Sequence, residues 1–392
     1  MTQALAEFLP SSGGLAALER GTRIRTIETT IVSAPTVRRH RLSNTEMANR
    51  EFVLVRVRLE NGVEGIGEAA VLGGPRWAEE SVESIKTVID HYIAPALAGL
   101  SAARPEVAAL AMSRAAARNF AAKSGVDSAL YDALGRTLDL PAHMLLGGAV
   151  RDRFSVIWAL ASGDVEQELE EAKRKLDLRE MRRFKVKLGF ATPTDDLRRL
   201  RSLRDGLPAE AELIVDVNQG WSEADCLRFL PALDELGVTL IEQPLPADDL
   251  EGMARVAARS PIPLMVDEAG FTCREIARAG HMGCGSVYSL KLVKSGGLRE
   301  LKRAAAVAEA SGMALYGGCL LESSIGAAAH LAAFATLPRL PWGTEHFGPR
   351  ILVDDVVTEG LRFEDFEVRL PDGPGLGVTL DEARIRAFAR PA

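Results

Sequence analysis

Five apolar runs in the middle of the chain each close on a charged residue. They are Phe184-Lys185-Val186-Lys187, Leu213-Ile214-Val215-Asp216, Thr239-Leu240-Ile241-Glu242, Pro263-Leu264-Met265-Val266-Asp267 and Val287-Tyr288-Ser289-Leu290-Lys291. Asp216, Glu242 and Asp267 end three consecutive runs, so a fold that sets the runs side by side gathers three carboxylates at one place. Carboxylates that close repel and raise one another's pKa unless a cation neutralises them. Three hard oxygen donors, with no Cys or His in the pattern, fit Mg²⁺ or Mn²⁺ better than Zn²⁺. The competing reading is that each carboxylate caps the helix after it. Three in succession, flanked by lysines, weigh toward the metal.

Lys185 and Lys187 are two apart, which on a strand puts both side chains on one face. Adjacent ammonium groups disfavour each other's charge, which predicts depressed pKa values suited to proton transfer. Lys291 falls four runs later, across the assembly from Lys187. Two lysines flanking a metal can add or remove a proton α to a bound carboxylate from opposite faces, while the metal stabilises the enediolate. A strand-end lysine can simply snorkel, but two pointing inward from one buried strand are costly without a task. Lys294 reads as a helix-start or loop lysine. Glu345 ends the last strand candidate and is placed to hydrogen-bond substrate or Lys291; Glu322 is a weaker candidate that anchors its own loop. The six histidines are scattered without ligand spacing, and His143, His281 and His330 read as structural. A metal-free barrel using Lys187 or Lys291 as a Schiff-base nucleophile is the rival chemistry.

The runs recur roughly every 25 residues, each followed by an amphipathic stretch rich in Ala, Leu and Arg, the length of one strand-plus-helix unit of a (β/α) barrel. Strands buried on both faces read as continuous apolar runs, and a barrel places its chemistry at the strands' C-terminal ends. About eight such strands are expected from Val156 to Thr344. Ahead of them, a strand over Ile24–Val32, a loop over Ala34–Arg50, and a hairpin turning at Asn61-Gly62 predict an antiparallel sheet. A second loop spans Leu72–Trp77, and helical patterns cover Glu79–Leu97, Pro105–Ala117 and Ala121–Leu138. The predicted organisation is a loosely held leader over 1–21, an α+β capping domain over 22–148, a barrel over 149–350, and a return to the capping domain over 351–392.

At 392 residues the chain has room for one large domain and a smaller one. A net charge of -7 without a basic patch argues against nucleic acid. No apolar run approaches a membrane span. The four cysteines form no CxxC pair or framework, which predicts a reduced, cytoplasmic setting. Gly73-Gly74 lacks the context of a phosphate loop.

In order, Lys185-x-Lys187, Asp216-Val217-Asn218, Glu242-Gln243-Pro244, Asp267-Glu268 and Lys291-Leu292-Val293-Lys294-Ser295-Gly296-Gly297 resemble the muconate lactonising subgroup of the enolase superfamily. Gly65-Ile66-Gly67-Glu68-Ala69, Leu160-Ala161-Ser162-Gly163-Asp164 and Thr344-Glu345-His346-Phe347-Gly348-Pro349 add to a likeness that runs from about Ile24. The resemblance implies a modified (β/α)8 barrel under an α+β cap, with Mn²⁺ or Mg²⁺ on Asp216, Glu242 and Asp267. It implies Lys187 as an acid/base tuned by Lys185, Lys291 as the acid/base on the opposite face, and Glu345 assisting. The loops at 34–50 and 72–77 would close over the substrate, with Arg38, His40, Leu72, Trp77 and Phe347 setting specificity. The implied activity is metal-dependent cycloisomerisation of cis,cis-muconate to muconolactone in aromatic catabolism, by a homo-oligomer, often an octamer. A chlorinated muconate, or racemisation of N-acylamino acids or epimerisation of dipeptides, is the alternative. Arg38, His40, Arg41 and Arg76 in the capping loops favour a dicarboxylate.

Overall fold

Strands β1 (Ile24–Arg41), β2 (Glu46–Leu59) and β3 (Glu64–Ala70) form an antiparallel sheet in that order. The structure, a computed structural model, describes residues 12–43 and 45–390. Residues Ser12–Gly21, expected as part of a loose leader, form a helix, as the helix-favouring Leu15-Ala16-Ala17-Leu18-Glu19 permits. Residues 1–11 lie outside the described residues.

The loop expected over Ala34–Arg50 is instead two strand ends joined by a short turn. β1 continues to Arg41 and β2 starts at Glu46, with a break in register between Pro35 and His40. The alternation is there in the sequence, but its inward positions are polar: His40 is buried and Arg38 half-buried, while Val37, Arg39 and Arg41 are exposed. An apolar count does not see a strand of that kind.

The cap's long helix, Phe120–Leu138, is buried without interruption from Ala121 to Gly135. It lies directly on β3. A Cβ at Gly67 would stand 2.0 Å from the Gly125 carbonyl, and one at Gly65 2.2 Å from that of Ala129. These close approaches are the physical content of the Gly65-Ile66-Gly67 motif.

After β4 (Arg153–Ser155), a parallel sheet runs in chain order through β5 (Ile157–Leu160), β6 (Arg183–Lys187), β7 (Glu212–Asp216), β8 (Val238–Glu242), β9 (Leu264–Val266), β10 (Val287–Leu290) and β11 (Ala314–Gly317). Seven strands form where about eight were expected. The eighth position is filled by one residue, Thr344, which bridges in parallel to Gly317 after one side and Val156 on the other. Ile157, Ile214, Leu240, Met265, Val287 and Tyr316 fill the centre of the sheet as a closed apolar layer.

The chain beyond residue 350 divides. β12 (Phe363–Glu364) and β13 (Glu367–Arg369) pair with β4, whereas the helix Glu382–Phe388 leads to Arg390, whose N–H donates to Ile31 of β1 at 2.9 Å. Among the described residues no helix is long and apolar enough to cross a membrane.

Candidate active site

The three carboxylates do not cap helices. Those caps are Ser222 after β7, Asp249 after β8 and Thr272 after β9, each accepting a first-turn N–H. Asp216, Glu242 and Asp267 are thereby left at the strand ends, all buried. Neighbouring register brings them together, since Asp216 pairs with Glu242 between β7 and β8.

Every lysine of the cluster meets a carboxylate. Lys185 donates to both Glu242 and Glu345. Lys187 donates to Asp216 at 2.5 Å and lies 3.3 Å from the Asn218 side-chain oxygen. From the other side, Lys291 reaches Asp267 Oδ2 at 2.5 Å and Lys294 reaches Oδ1 at 2.9 Å. Glu345 also accepts from the Tyr316 hydroxyl at 3.0 Å and from the Cys319 N–H at 2.7 Å.

The expected mutual depression of Lys185 and Lys187 does not describe Lys185. Burial pushes its ammonium down, but Glu242 and Glu345 more than reverse this and hold it well above the ordinary lysine value. For Asp267, burial works upward and is overcome by Lys291 and Lys294, leaving it well below the usual carboxylate range. Glu345 is likewise buried, yet Lys185 and Lys291 hold it down to about 2. Glu242 goes the other way: burial and the Asp216 charge raise it well above the ordinary value, beyond what Lys185 offsets. We take Lys185 as charged, with Glu345 its ionised partner and Glu242 the carboxyl without compensating charge. Glu268, next to Asp267, is pushed up to about 7 by burial, Asp267 and Asp216.

Four ammonium groups therefore face five buried carboxyls. The Oε1 of Glu242 and the Oε2 of Glu268 are buried without a hydrogen-bond partner. A divalent cation fits this donor set, because it supplies the missing positive charge and the missing partner together. The buried group Glu322, His330 and His346, whose ligand atoms lie within 4.8 Å of one another, fits a cation poorly. His330 spends both ring nitrogens on backbone, Nδ1 toward the Gly326 carbonyl at 2.8 Å and Nε2 accepting from the Leu292 N–H at 2.9 Å. Glu322 accepts twice from the Leu320 N–H, at 3.0 and 2.9 Å, within its own loop.

The capping domain contributes differently from expectation. Trp77 comes to the mouth, with Lys291 Nζ 4.4 Å from its ring centroid, and Leu72 is buried near the start of the same segment. The β1–β2 turn also touches the mouth, where Ser43 Oγ donates to the Asn218 carbonyl at 2.8 Å. Arg38 pairs with Glu171 at 2.8 Å and donates to the Ala159 carbonyl at 2.7 Å, bracing β5 from outside. Arg41 is taken up by Glu46 at 2.9 Å. His40 is held well below its ordinary value by burial, then by Arg38 and Lys187, so it stays neutral. Phe347 is buried against Trp158, ring centroids 4.9 Å apart. Arg38 and Arg41, expected to receive a dianion, are thus each paired with a glutamate.

Sequence reasoning read Lys294 as a helix-start or loop lysine and met Gln243 and Asn218 only as members of motifs. Lys294 is fully buried on Asp267, and its signal was the one-turn spacing from Lys291 across the short helix Leu292–Ser295. Gln243 Oε1 accepts the N–H groups of Asp267 and Ala269, at 3.0 and 3.2 Å, and so sets the end of the neighbouring strand. Asn218 and Gln243 hold left-handed backbone at φ 42° and 31°, strain of the sort that gathers at functional sites.

Known proteins share this arrangement of chain. Residues 26–147 match the model for the mandelate racemase/muconate lactonizing enzyme N-terminal domain, and residues 167–384 match that described as enolase C-terminal domain-like. Muconate cycloisomerase 1 of Pseudomonas putida is 44% identical over 94% of this chain and 98% of its own. Chloromuconate cycloisomerase of Pseudomonas sp. (strain P51) is 40% identical over 94% and 100%. Among solved structures, muconate lactonizing enzyme from Pseudomonas fluorescens complexed with muconolactone superposes with a TM-score of 0.93 at 43% identity, covering 94% of this chain and 100% of that one.

Proposed function

Since the chain belongs to the enolase superfamily, with the domain pair of the mandelate racemase/muconate lactonizing enzymes, we propose that it interconverts cis,cis-muconate and muconolactone. It is a cycloisomerase, an enzyme acting on a small molecule. The observation that carries the reading is the placement of Lys187 and Lys291 on opposite sides of an acidic trio, each bound to one of its carboxylates.

In the lactone direction one substrate carboxylate oxygen adds to the far double bond, closing a C–O bond. The displaced electron pair moves to the carbon α to the second carboxylate and spreads into it. An ammonium then delivers a proton to that carbon, turning a dianion into a monoanionic lactone, and the lysine regains its proton from solvent. We assign that proton to Lys187, with Lys291 guarding the opposite face. Lys185, locked between Glu242 and Glu345, serves as a fixed charge that keeps Glu345 ionised. Mn²⁺ or Mg²⁺ held by Asp216, Glu242 and Asp267 supplies, when bound, the positive charge against which the second carboxylate's negative charge builds. Trp77 and Leu72 bound the substrate from the cap.

A chlorinated muconate is the second reading, favoured by relatives of that activity at 40% identity. We also propose a homo-octamer, by family likeness, and a cytoplasmic location, which suits four free thiols. The deciding experiment follows the ultraviolet absorbance of cis,cis-muconate and of its chlorinated analogues with added Mn²⁺. Metal-dependent loss of absorbance supports the reading. No change with either, alongside α-proton exchange in an N-succinyl amino acid or a dipeptide, would replace it with racemase or epimerase chemistry.

A further inference from the structure

The segment carrying Trp77 is tied to the barrel by a closed circuit of contacts that passes through one strained residue. Arg118 and Asn119, just ahead of the helix Phe120–Leu138, both hold left-handed backbone, at φ 51° and 47°. Asn tolerates this; for Arg it is an unfavourable state that persists only where the surroundings impose it.

The Arg118 side chain reaches two ways. Its Nε donates at 2.9 Å to Glu79, two residues past Trp77, while Nη1 lies 3.6 Å from Glu275 on the barrel helix Cys273–Met282. Its guanidinium also stands 5.6 Å from the ring centroid of Phe120 and 6.0 Å from that of Phe271. Phe271 closes the circuit: its ring centroid is 5.7 Å from that of Trp77, and its N–H donates to Glu275 at 3.0 Å. Trp77 in turn stands over Lys291. The same segment begins at Gly73 and Gly74, both at positive φ, 67° and 73°, where the chain can pivot at little cost.

We propose that Arg118 is a positioning residue that latches the Trp77 segment in place over Lys291. The inference rests on the reading of Lys291 as a group that faces the substrate. Both ion pairs of Arg118 are about half exposed, at 52% for the arginine, and pairs of that kind are weak.

The test uses full-length Arg118→Ala, Arg118→Lys and Arg118→Gly, the last relieving the left-handed backbone so that folding is not in question. Hydrogen exchange of residues 72–81 and steady-state kinetics on cis,cis-muconate are measured on each. Arg118→Ala and Arg118→Gly are expected to raise KM and to speed exchange in that segment, each by about tenfold, with kcat within about twofold. Arg118→Lys, which keeps a cation for Glu79, should recover most of the KM. Unchanged KM and unchanged exchange would overturn the latch, as would a fall in kcat and Tm with both left as they were. If the wild-type protein does not convert cis,cis-muconate, the substrate assignment fails separately. Exchange of residues 72–81 then decides the latch alone: faster in Arg118→Gly sustains it, equal overturns it.

Discussion

Lys187 and Asp216 are paired twice over: they stand opposite each other in the β6–β7 register, and their side chains meet at 2.5 Å. One backbone ladder therefore sets both the proposed acid/base group and a carboxylate of the proposed cation site. Chemistry and electrostatics are coupled at that point, because a change at either residue alters the surroundings of the other.

Replacing Lys187 by Ala should lower kcat for cis,cis-muconate by about 10²- to 10⁴-fold, the usual worth of a positioned acid. Far-ultraviolet circular dichroism should be unchanged. Turnover in D₂O reads the stereochemistry at the α carbon of muconolactone. Full activity in this variant would move the proton to Lys291.

Chelation should abolish turnover, and added Mn²⁺ or Mg²⁺ should restore it. Because the Glu242 Oε1 has no partner of its own, a bound cation should also raise Tm, by a stabilisation of about 3 kcal/mol at a hundred times its Kd. Glu242→Gln should lose most of that rise. A Tm indifferent to metal in the unaltered protein would argue that the trio does not hold one.

Two carboxyls of the cap dock onto barrel helices. Asp127 accepts the Leu298 N–H at 2.7 Å, and Glu68 accepts the N–H groups of Ser323 and Gly326 at 3.1 and 3.0 Å. Burial pushes both up to about 7, from ordinary values of 3.8 and 4.5. The folded protein thus keeps protons that the unfolded chain has released. Their contribution is complete below about pH 4 and is lost as pH rises through about 7, on the order of 1 kcal/mol or more for each group. Tm should fall between pH 5.5 and 8.5, and Asp127→Asn, which keeps an acceptor but cannot titrate, should flatten the fall. A Tm that rises over that range in the unaltered protein would contradict this.

Gly318→Ala should damage catalysis more than folding. The added Cβ would stand 2.2 Å from Ser289 Oγ and 2.7 Å from Lys291 Cε. The lysine's flexible chain can yield, so the protein folds with its ammonium displaced. A shift of about 1 Å there is worth on the order of 10²-fold in kcat/KM. Near-normal kcat/KM would mean that the site re-forms around the methyl group.

The sequence by itself determined the barrel and the composition of its mouth. A strand buried on both faces must be apolar throughout, so a charge that closes such a run can lie only at its end, and Lys187, Asp216, Glu242, Asp267 and Lys291 were legible for that reason. What the sequence could not decide were the partners of charges. Arg38 and Glu171 lie 133 positions apart, and no local period links them; until they met, Arg38 looked like a receptor for substrate and its strand like a loop. Thr344 closes the barrel as a single residue, too short to show any period. Lys294 looked like a helix-start or loop lysine because only the packing brought Asp267 beside it, and Trp77 took its place over Lys291 through Phe271, from another domain. Local pattern records which face of an element turns inward; what it meets there is a long-range contact, which only the tertiary structure sets.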